Sequence, residues 1–160
     1  MQDLVEHLSI LLAEKGWKIV AAESCTGGLL AAAITHRPGS SQIFERGFVT
    51  YSNEAKMECL GVSAETLEKY GAVSDQTAEE MALGALKHSK ADLAISITGI
   101  AGPDGGSHNK PVGLVYFGYA LKGGSSGSLH ENYRGNREQI RGKAAAMALK
   151  SMISVLETET

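Results

Sequence analysis

Hydrophobic residues recur at helical spacing in some stretches of the chain and form short apolar or alternating runs in others. This mixture is typical of an α/β protein. Six helices are predicted: one ended by Gly16, one over 28–35, one capped by Ser52 or Asn53 and ended by Gly61, one capped by Ser63 and ended before Gly71, one over 75–87 and one over about 137–156. Five strands are predicted, at 17–22, 44–51, 92–98, 113–121 and 129–133.

The order of these elements carries information about the sheet. The early strands are separated by helices, which predicts parallel pairing. The last three strands follow one another through loops without an intervening helix, which predicts an antiparallel element in an otherwise parallel sheet. With 160 residues, the chain is long enough for one domain, and we expect a single domain over residues 1–160.

Composition narrows the class of protein without identifying it. The chain has 43% hydrophobic and 21% charged residues and a formal net charge of −3, which disfavours a nucleic-acid partner. No apolar run is long enough to span a bilayer and no signal-peptide pattern begins the sequence, so we predict a cytoplasmic protein without a membrane partner. Cys25 and Cys59 do not form a metal or disulfide motif.

Residues 23–28 (ESCTGG) join the first predicted strand to the next helix. The two glycines let a ligand approach the backbone closely, and the N–H groups at the start of the helix favour an anion. Ser24 is therefore a nucleophile beside oxyanion donors, part of a phosphate cradle, or a plain helix cap.

A second polar segment, residues 50–56, follows the second predicted strand and contains Tyr51 and Lys56. If this strand lies beside the first, both segments open at the edge of the sheet where α/β proteins bind ligands. Lys56 would then reach Ser24, and a desolvated lysine with a lowered pKa is a suitable general base for serine. Without that contact, Lys56 is a solvated surface lysine and Tyr51 a core or strand-edge aromatic residue.

Two further features lie later in the chain. Residues 99–111 form a glycine-rich loop after the third predicted strand, and this loop is long for a simple connector. Arg137 and Arg141 are four residues apart on the last helix and share a face. They either bind a phosphate group or stay solvated or paired with Glu138.

Four of these segments together resemble one known family. They are residues 22–28 (AESCTGG), 51–56 (YSNEAK), 71–74 (GAVS) and 97–103 (ITGIAGP). The family is the C-terminal domain of the CinA (competence/damage-inducible) proteins, whose stand-alone members are nicotinamide-nucleotide amidohydrolases. The resemblance extends over nearly the whole chain. It implies a three-layer α/β/α sandwich with a mixed, mostly parallel sheet, no metal or other cofactor, and a homodimer.

The resemblance also implies a reaction, the hydrolysis of nicotinamide mononucleotide to nicotinate mononucleotide and ammonia. In that reaction Ser24 would be the nucleophile, Lys56 its base, and Tyr51 would assist through its hydroxyl. Position alone favours Arg141 over Arg137 for the substrate phosphate. Substrate contacts are expected from Cys25, Thr26, Gly27, Gly28, Asn53, Thr98, Gly99, Gly102, Arg137 and Arg141.

Two alternatives remain open from the sequence. A non-catalytic nucleotide-binding module would use the glycine loops to hold phosphate, but it would not need a lysine of low pKa directed at Ser24. Alternatively, Cys25 is the nucleophile, because helix N-termini activate thiolates.

Overall fold

A computed structural model describes residues 1–158 of the protein. All six predicted helices and all five predicted strands are present. In chain order they are α1 (Gln2–Lys15), β1 (Ile19–Glu23), α2 (Leu29–Thr35), β2 (Phe44–Val49), α3 (Asn53–Leu60), α4 (Ala64–Tyr70), α5 (Asp75–Lys87), β3 (Leu93–Gly99), β4 (Leu114–Leu121), β5 (Ser126–Asn132) and α6 (Arg137–Thr158). A short 3-10 helix, Ser40–Gln42, precedes β2.

The five strands form one sheet in the order β2-β1-β3-β4-β5. β1 pairs in parallel with β2 and β3, whereas β4 is antiparallel to both of its neighbours. Four of the five strands therefore run in the same direction, and the predicted antiparallel element is β4. The chain leaves β1 towards β2 and later returns on the other side as β3. This reversal is the point at which open α/β sheets form a ligand crevice.

Helices cover both faces of the sheet and make it a three-layer sandwich. Ile19 and Ala21 of β1 face a core shared with α1, α2 and α6. Val20 and Ala22 face a second core built with α3, α4 and α5. Because both faces are covered, every residue from Leu93 to Thr98 is buried. No helix within residues 1–158 is long and apolar enough to cross a membrane.

The start of β5 differs from the prediction by three residues. The prediction began at residue 129, whereas the strand begins at Ser126. The Ser126 hydroxyl donates to the Glu79 carboxylate of α5, and the Ser128 hydroxyl donates to that of Asp75. The serine- and glycine-rich segment thus pairs with β4 because the neighbouring helix binds its hydroxyl groups, which local hydrophobicity does not indicate.

We expect Gly84→Ala in α5 to lower the free energy of unfolding by about 1–3 kcal/mol. A methyl group at Gly84 would overlap the backbone carbonyl of Leu60, where α5 packs closely on α3. Gly142→Ala in α6 is the matched control because a methyl group there meets nothing within 4 Å. It should raise the free energy of unfolding by about 0.5–1 kcal/mol. Urea denaturation measures both values, and equal stability of the two variants would contradict the close helix contact.

Candidate active site

A cavity of about 250 Å³ lies where β1 and β3 end. This is the crevice expected from the strand order. Eight of the thirteen predicted site residues line it: Ser24, Cys25, Tyr51, Lys56, Thr98, Gly99, Gly102 and Arg137. The other five predicted residues, Thr26, Gly27, Gly28, Asn53 and Arg141, lie outside its lining.

Ser24 and Lys56 are in direct contact in this cavity. Ser24 follows β1, and its backbone N–H donates to the carbonyl of Ile97 in β3. Lys56 lies in α3, which begins after Ser52; the Ser52 side chain accepts the Ala55 N–H, as the predicted cap requires. The Lys56 amine nitrogen is 2.9 Å from Ser24 Oγ, and the lysine is only 1% exposed.

Two backbone carbonyls hold the Lys56 amine in place. Its Nζ donates to the oxygen of Thr50 at 2.9 Å and to that of Tyr51 at 3.2 Å. Burial lowers the pKa of Lys56 from 10.5 to about 8, because desolvation disfavours the ammonium form. In the neutral amine the two N–H groups stay on the carbonyls, and the lone pair is left for the Ser24 hydroxyl. The contact therefore has the geometry of a nucleophile and its general base.

The start of α2 is occupied by a carboxylate of the protein itself. Glu23, the last residue of β1, is 1% exposed and accepts the N–H groups of Leu30 at 2.9 Å and Ala31 at 3.0 Å. It also accepts the Thr26 hydroxyl at 2.6 Å. The anion predicted at this helix start is thus the Glu23 side chain and not a ligand. Glu23 is not among the residues predicted for the site. It lies at the end of β1, a full turn before α2 begins at Leu29, so no local capping pattern indicates this contact.

The two arginines of α6 have different neighbours. Arg137 donates to the carbonyl of Gly102 at 2.8 Å and to the Tyr51 hydroxyl at 3.2 Å, and it lines the cavity. Arg141 donates to the carbonyls of Cys25 at 3.1 Å and Thr26 at 3.0 Å, outside the cavity lining. Arg137 therefore borders the cavity and Arg141 does not, whereas position alone favoured Arg141 for a substrate phosphate.

The remaining predicted residues shape the cavity or lie beside it. The Thr98 hydroxyl donates to the carbonyl of Ala72 and ties the 71–74 segment to β3. Gly102 has φ 78°, and a methyl group there would overlap Val112. Gly27 and Gly28 have φ 56° and 102° and form the turn into α2. Asn53 is exposed at the first position of α3.

The Cys25 side chain is a poor nucleophile in this environment. It lines the cavity but is 6% exposed. Burial raises the pKa of its thiol to about 11. A thiol with this pKa is protonated near neutral pH, and only the thiolate is reactive. The structure thus favours Ser24 over Cys25 as the nucleophile.

Comparisons with known proteins match nearly the whole length of the chain. The sequence profile of the CinA C-terminal domain matches residues 1–156. The protein named nicotinamide-nucleotide amidohydrolase PncC from Enterobacter agglomerans is 53% identical over 153 residues, which cover 96% of this chain and 93% of the relative. The protein of that name from Escherichia coli (strain K12) is 50% identical over 152 residues, which cover 95% and 92%.

A solved structure agrees with the sequence comparisons. The crystal structure of the competence/damage inducible protein CihA from Agrobacterium tumefaciens superposes with a TM-score of 0.95 at 44% identity, covering 98% of this chain and 95% of that one. The chain belongs to the CinA C-terminal domain family.

Proposed function

We propose that this protein is a nicotinamide-nucleotide amidohydrolase that converts nicotinamide mononucleotide to nicotinate mononucleotide and ammonia. The observation that carries the proposal is the buried Lys56 amine 2.9 Å from Ser24 Oγ in a cavity at the sheet edge. The relatives named PncC, about half identical over nearly the full chain, support the substrate. Family resemblance supports a homodimer, which light scattering of the purified protein tests; the cytoplasmic location stays the prediction made from composition.

The proposed reaction passes through an acyl-enzyme. Neutral Lys56 takes the proton of the Ser24 hydroxyl as Oγ attacks the amide carbon. The Lys56 ammonium then gives that proton to the departing amide nitrogen, which leaves as ammonia. Water next attacks the acyl group with Lys56 as base, which releases the carboxylate product and restores Ser24. The carbonyl oxygen needs N–H donors as it becomes negative.

The Cys25 N–H is the proposed donor to that oxygen. The Ser24 N–H is already bonded to Ile97 and is not available. Within residues 1–158, the Cys25 N–H has no oxygen acceptor of the protein, and it belongs to the residue that follows the nucleophile. A backbone donor in this place is a common oxyanion arrangement.

The proposed phosphate ligand is Arg137. It is the one arginine of the described residues that lines the cavity. A guanidinium group binds phosphate through two parallel hydrogen bonds. On substrate binding, Arg137 would exchange its contact with the Gly102 carbonyl for phosphate oxygens and keep its contact with the Tyr51 hydroxyl. Tyr51 is 62% exposed and would assist by supporting Arg137 through its hydroxyl.

The direct test is to incubate purified protein with nicotinamide mononucleotide and measure released ammonia. An amidohydrolase releases ammonia in amounts equal to the nicotinate mononucleotide formed. The alternative, a non-catalytic nucleotide-binding module, would bind the nucleotide in calorimetry without releasing ammonia. That second result would overturn the proposed function.

We expect kcat/KM for the nucleotide to rise with pH and to reach half its maximum near pH 8. The neutral amine is the active form of Lys56, and its pKa is about 8; at pH 7 only about a tenth of the protein therefore carries the base. Initial rates between pH 6 and 9.5 measure this rise in kcat/KM. A profile that is already flat between pH 7 and 9 would contradict the assignment.

A further inference from the structure

We propose that Glu23 and Arg141 are positioning residues that together clamp the turn formed by residues 24–28 and thereby orient its backbone N–H groups towards the reacting carbonyl oxygen. The inference rests on the proposed amidohydrolase function and deepens it. Neither side chain lines the cavity, so both would act on the reaction through the turn. The turn formed by residues 24–28 is then held rigidly by these contacts and is not a flexible glycine loop.

Glu23 holds the turn through its side chain. Its carboxylate binds the Thr26 hydroxyl within the turn and the N–H groups of Leu30 and Ala31 just beyond it. Among the described residues, no lysine, arginine or histidine nitrogen lies within 4.0 Å of this carboxylate. A buried carboxylate without a cation is costly unless donors surround it. Here the donors are one hydroxyl and two helix N–H groups. The Glu23 carboxylate therefore holds the turn firmly against α2.

Arg141 holds the same turn through its carbonyl groups. Its Nε and Nη2 donate to the consecutive carbonyls of Cys25 and Thr26. The Ser24 carbonyl accepts the Gly27 N–H, and the Thr26 carbonyl also accepts the Leu29 N–H. Every carbonyl from Ser24 to Thr26 is therefore bonded within the protein.

The direction of the N–H groups follows from these carbonyl contacts. In a trans peptide the N–H points opposite to the C=O of the same plane. The bonded Ser24 carbonyl therefore orients the Cys25 N–H, and the Cys25 carbonyl held by Arg141 orients the Thr26 N–H. Within residues 1–158, neither N–H has an oxygen acceptor of the protein. Of the two residues, Cys25 lines the cavity, and among the described residues its N–H contacts only the sulfur of its own side chain. An oriented N–H group in this place, next to a serine nucleophile, is what an oxyanion requires.

The clamp predicts a different kinetic effect from a phosphate contact. Loss of a positioning residue slows the chemical step for any amide substrate of the site, because small misplacements of reacting groups cost large factors in rate. Loss of a phosphate ligand weakens binding of the nucleotide but not of its dephosphorylated nucleoside. Nicotinamide mononucleotide and nicotinamide riboside therefore distinguish the two roles.

The experiment compares Glu23→Gln, Arg141→Met and Arg137→Met with Arg37→Met as the control. Arg37 lies beyond the opposite end of α2 and contacts Glu6. For Glu23→Gln and Arg141→Met we expect kcat to fall by about 10–100-fold with KM changed less than about 3-fold, and the preference for nucleotide over nucleoside to be retained. For Arg137→Met we expect that preference to be lost. Arg37→Met should match the unmodified protein.

A second readout is independent of the substrate. The rate at which a fluorophosphonate probe labels Ser24 should fall by a similar factor in Glu23→Gln and Arg141→Met, because the probe also needs the oxyanion donors. If the unmodified protein labels at Ser24 but releases no ammonia, the proposed function fails while the labelling rates still test the clamp. If Glu23→Gln does not fold, Thr26→Val should show the loss and Thr26→Ser should recover it.

Three results would overturn the inference. The first is an Arg141→Met protein that keeps its kcat and its labelling rate. The second is an Arg141→Met protein that loses the preference for the nucleotide, which would make Arg141 a phosphate ligand. The third is Glu23→Gln, or Thr26→Val in its place, folding with unchanged kcat and labelling rate.

Discussion

Ser24→Ala is expected to lower the release of ammonia from nicotinamide mononucleotide by at least about 1,000-fold, because the acyl-enzyme cannot form without the hydroxyl. The fold should survive the change. Ser24 Oγ takes part in one short hydrogen bond, from Lys56, and one long contact of 3.5 Å with the Tyr51 carbonyl. The Lys56 amine keeps its two backbone carbonyls. We therefore expect the free energy of unfolding to change by about 1 kcal/mol or less.

The measurement combines an ammonia assay with urea denaturation. Ser41→Ala is the control because Ser41 is an exposed serine that does not line the cavity, and it should keep full activity. Calorimetry should also find that Ser24→Ala still binds the nucleotide, since Arg137 is intact. A Ser24→Ala protein that turned over the nucleotide near the normal rate would rule out Ser24 as the nucleophile.

Lys56→Met is expected to cause a loss of similar size, about 1,000-fold or more, because no other base contacts Ser24 Oγ among the described hydrogen bonds. Methionine keeps most of the length of the side chain. Two effects on stability oppose each other: the buried amine is removed, but the carbonyls of Thr50 and Tyr51 lose their donor. We expect the free energy of unfolding to stay within about 2 kcal/mol of the starting value.

Lys56→Arg separates the charge of the lysine from its basicity. Arginine stays protonated throughout the measurable pH range, so this variant should be as inactive as Lys56→Met and should lack the rise near pH 8. Lys87→Met is the control because Lys87 is an exposed lysine outside the cavity lining. Activity in Lys56→Arg would show that Lys56 acts through its charge and would contradict its role as the base.

The local patterns predicted the elements well because they reflect local physics. The helical spacing of Leu4 and Leu8 and the capping serines at positions 52, 63 and 74 depend on neighbouring residues only, and all are present in the structure. β5 was placed less well because its pairing depends on Asp75 and Glu79, about 50 residues away along the chain.

The candidate site was predictable where the chain order itself brings residues together. Segments that follow adjacent parallel strands meet at one edge of the sheet, which is why Ser24 and Lys56 were correctly expected to be close. Asn53 follows the same strand but begins α3 with its side chain exposed. The sequence pattern does not indicate which residues of such a segment turn inward.

By itself, the sequence determined the order of helices and strands and the family. It also predicted an antiparallel element among the last strands and, if the first two strands are neighbours, a contact between Ser24 and Lys56. Only the tertiary structure decided what surrounds that pair. Arg137 and Arg141 share a helix face and a residue type, yet one borders the cavity and the other holds the carbonyls of the Ser24 turn. Their difference arises from how α6 packs beside α2 and β3, and Glu23 becomes a helix cap only when β1 and α2 meet. These contacts join residues that are far apart along the chain or on opposite sides of a turn, so the local spacing of residues does not predict them.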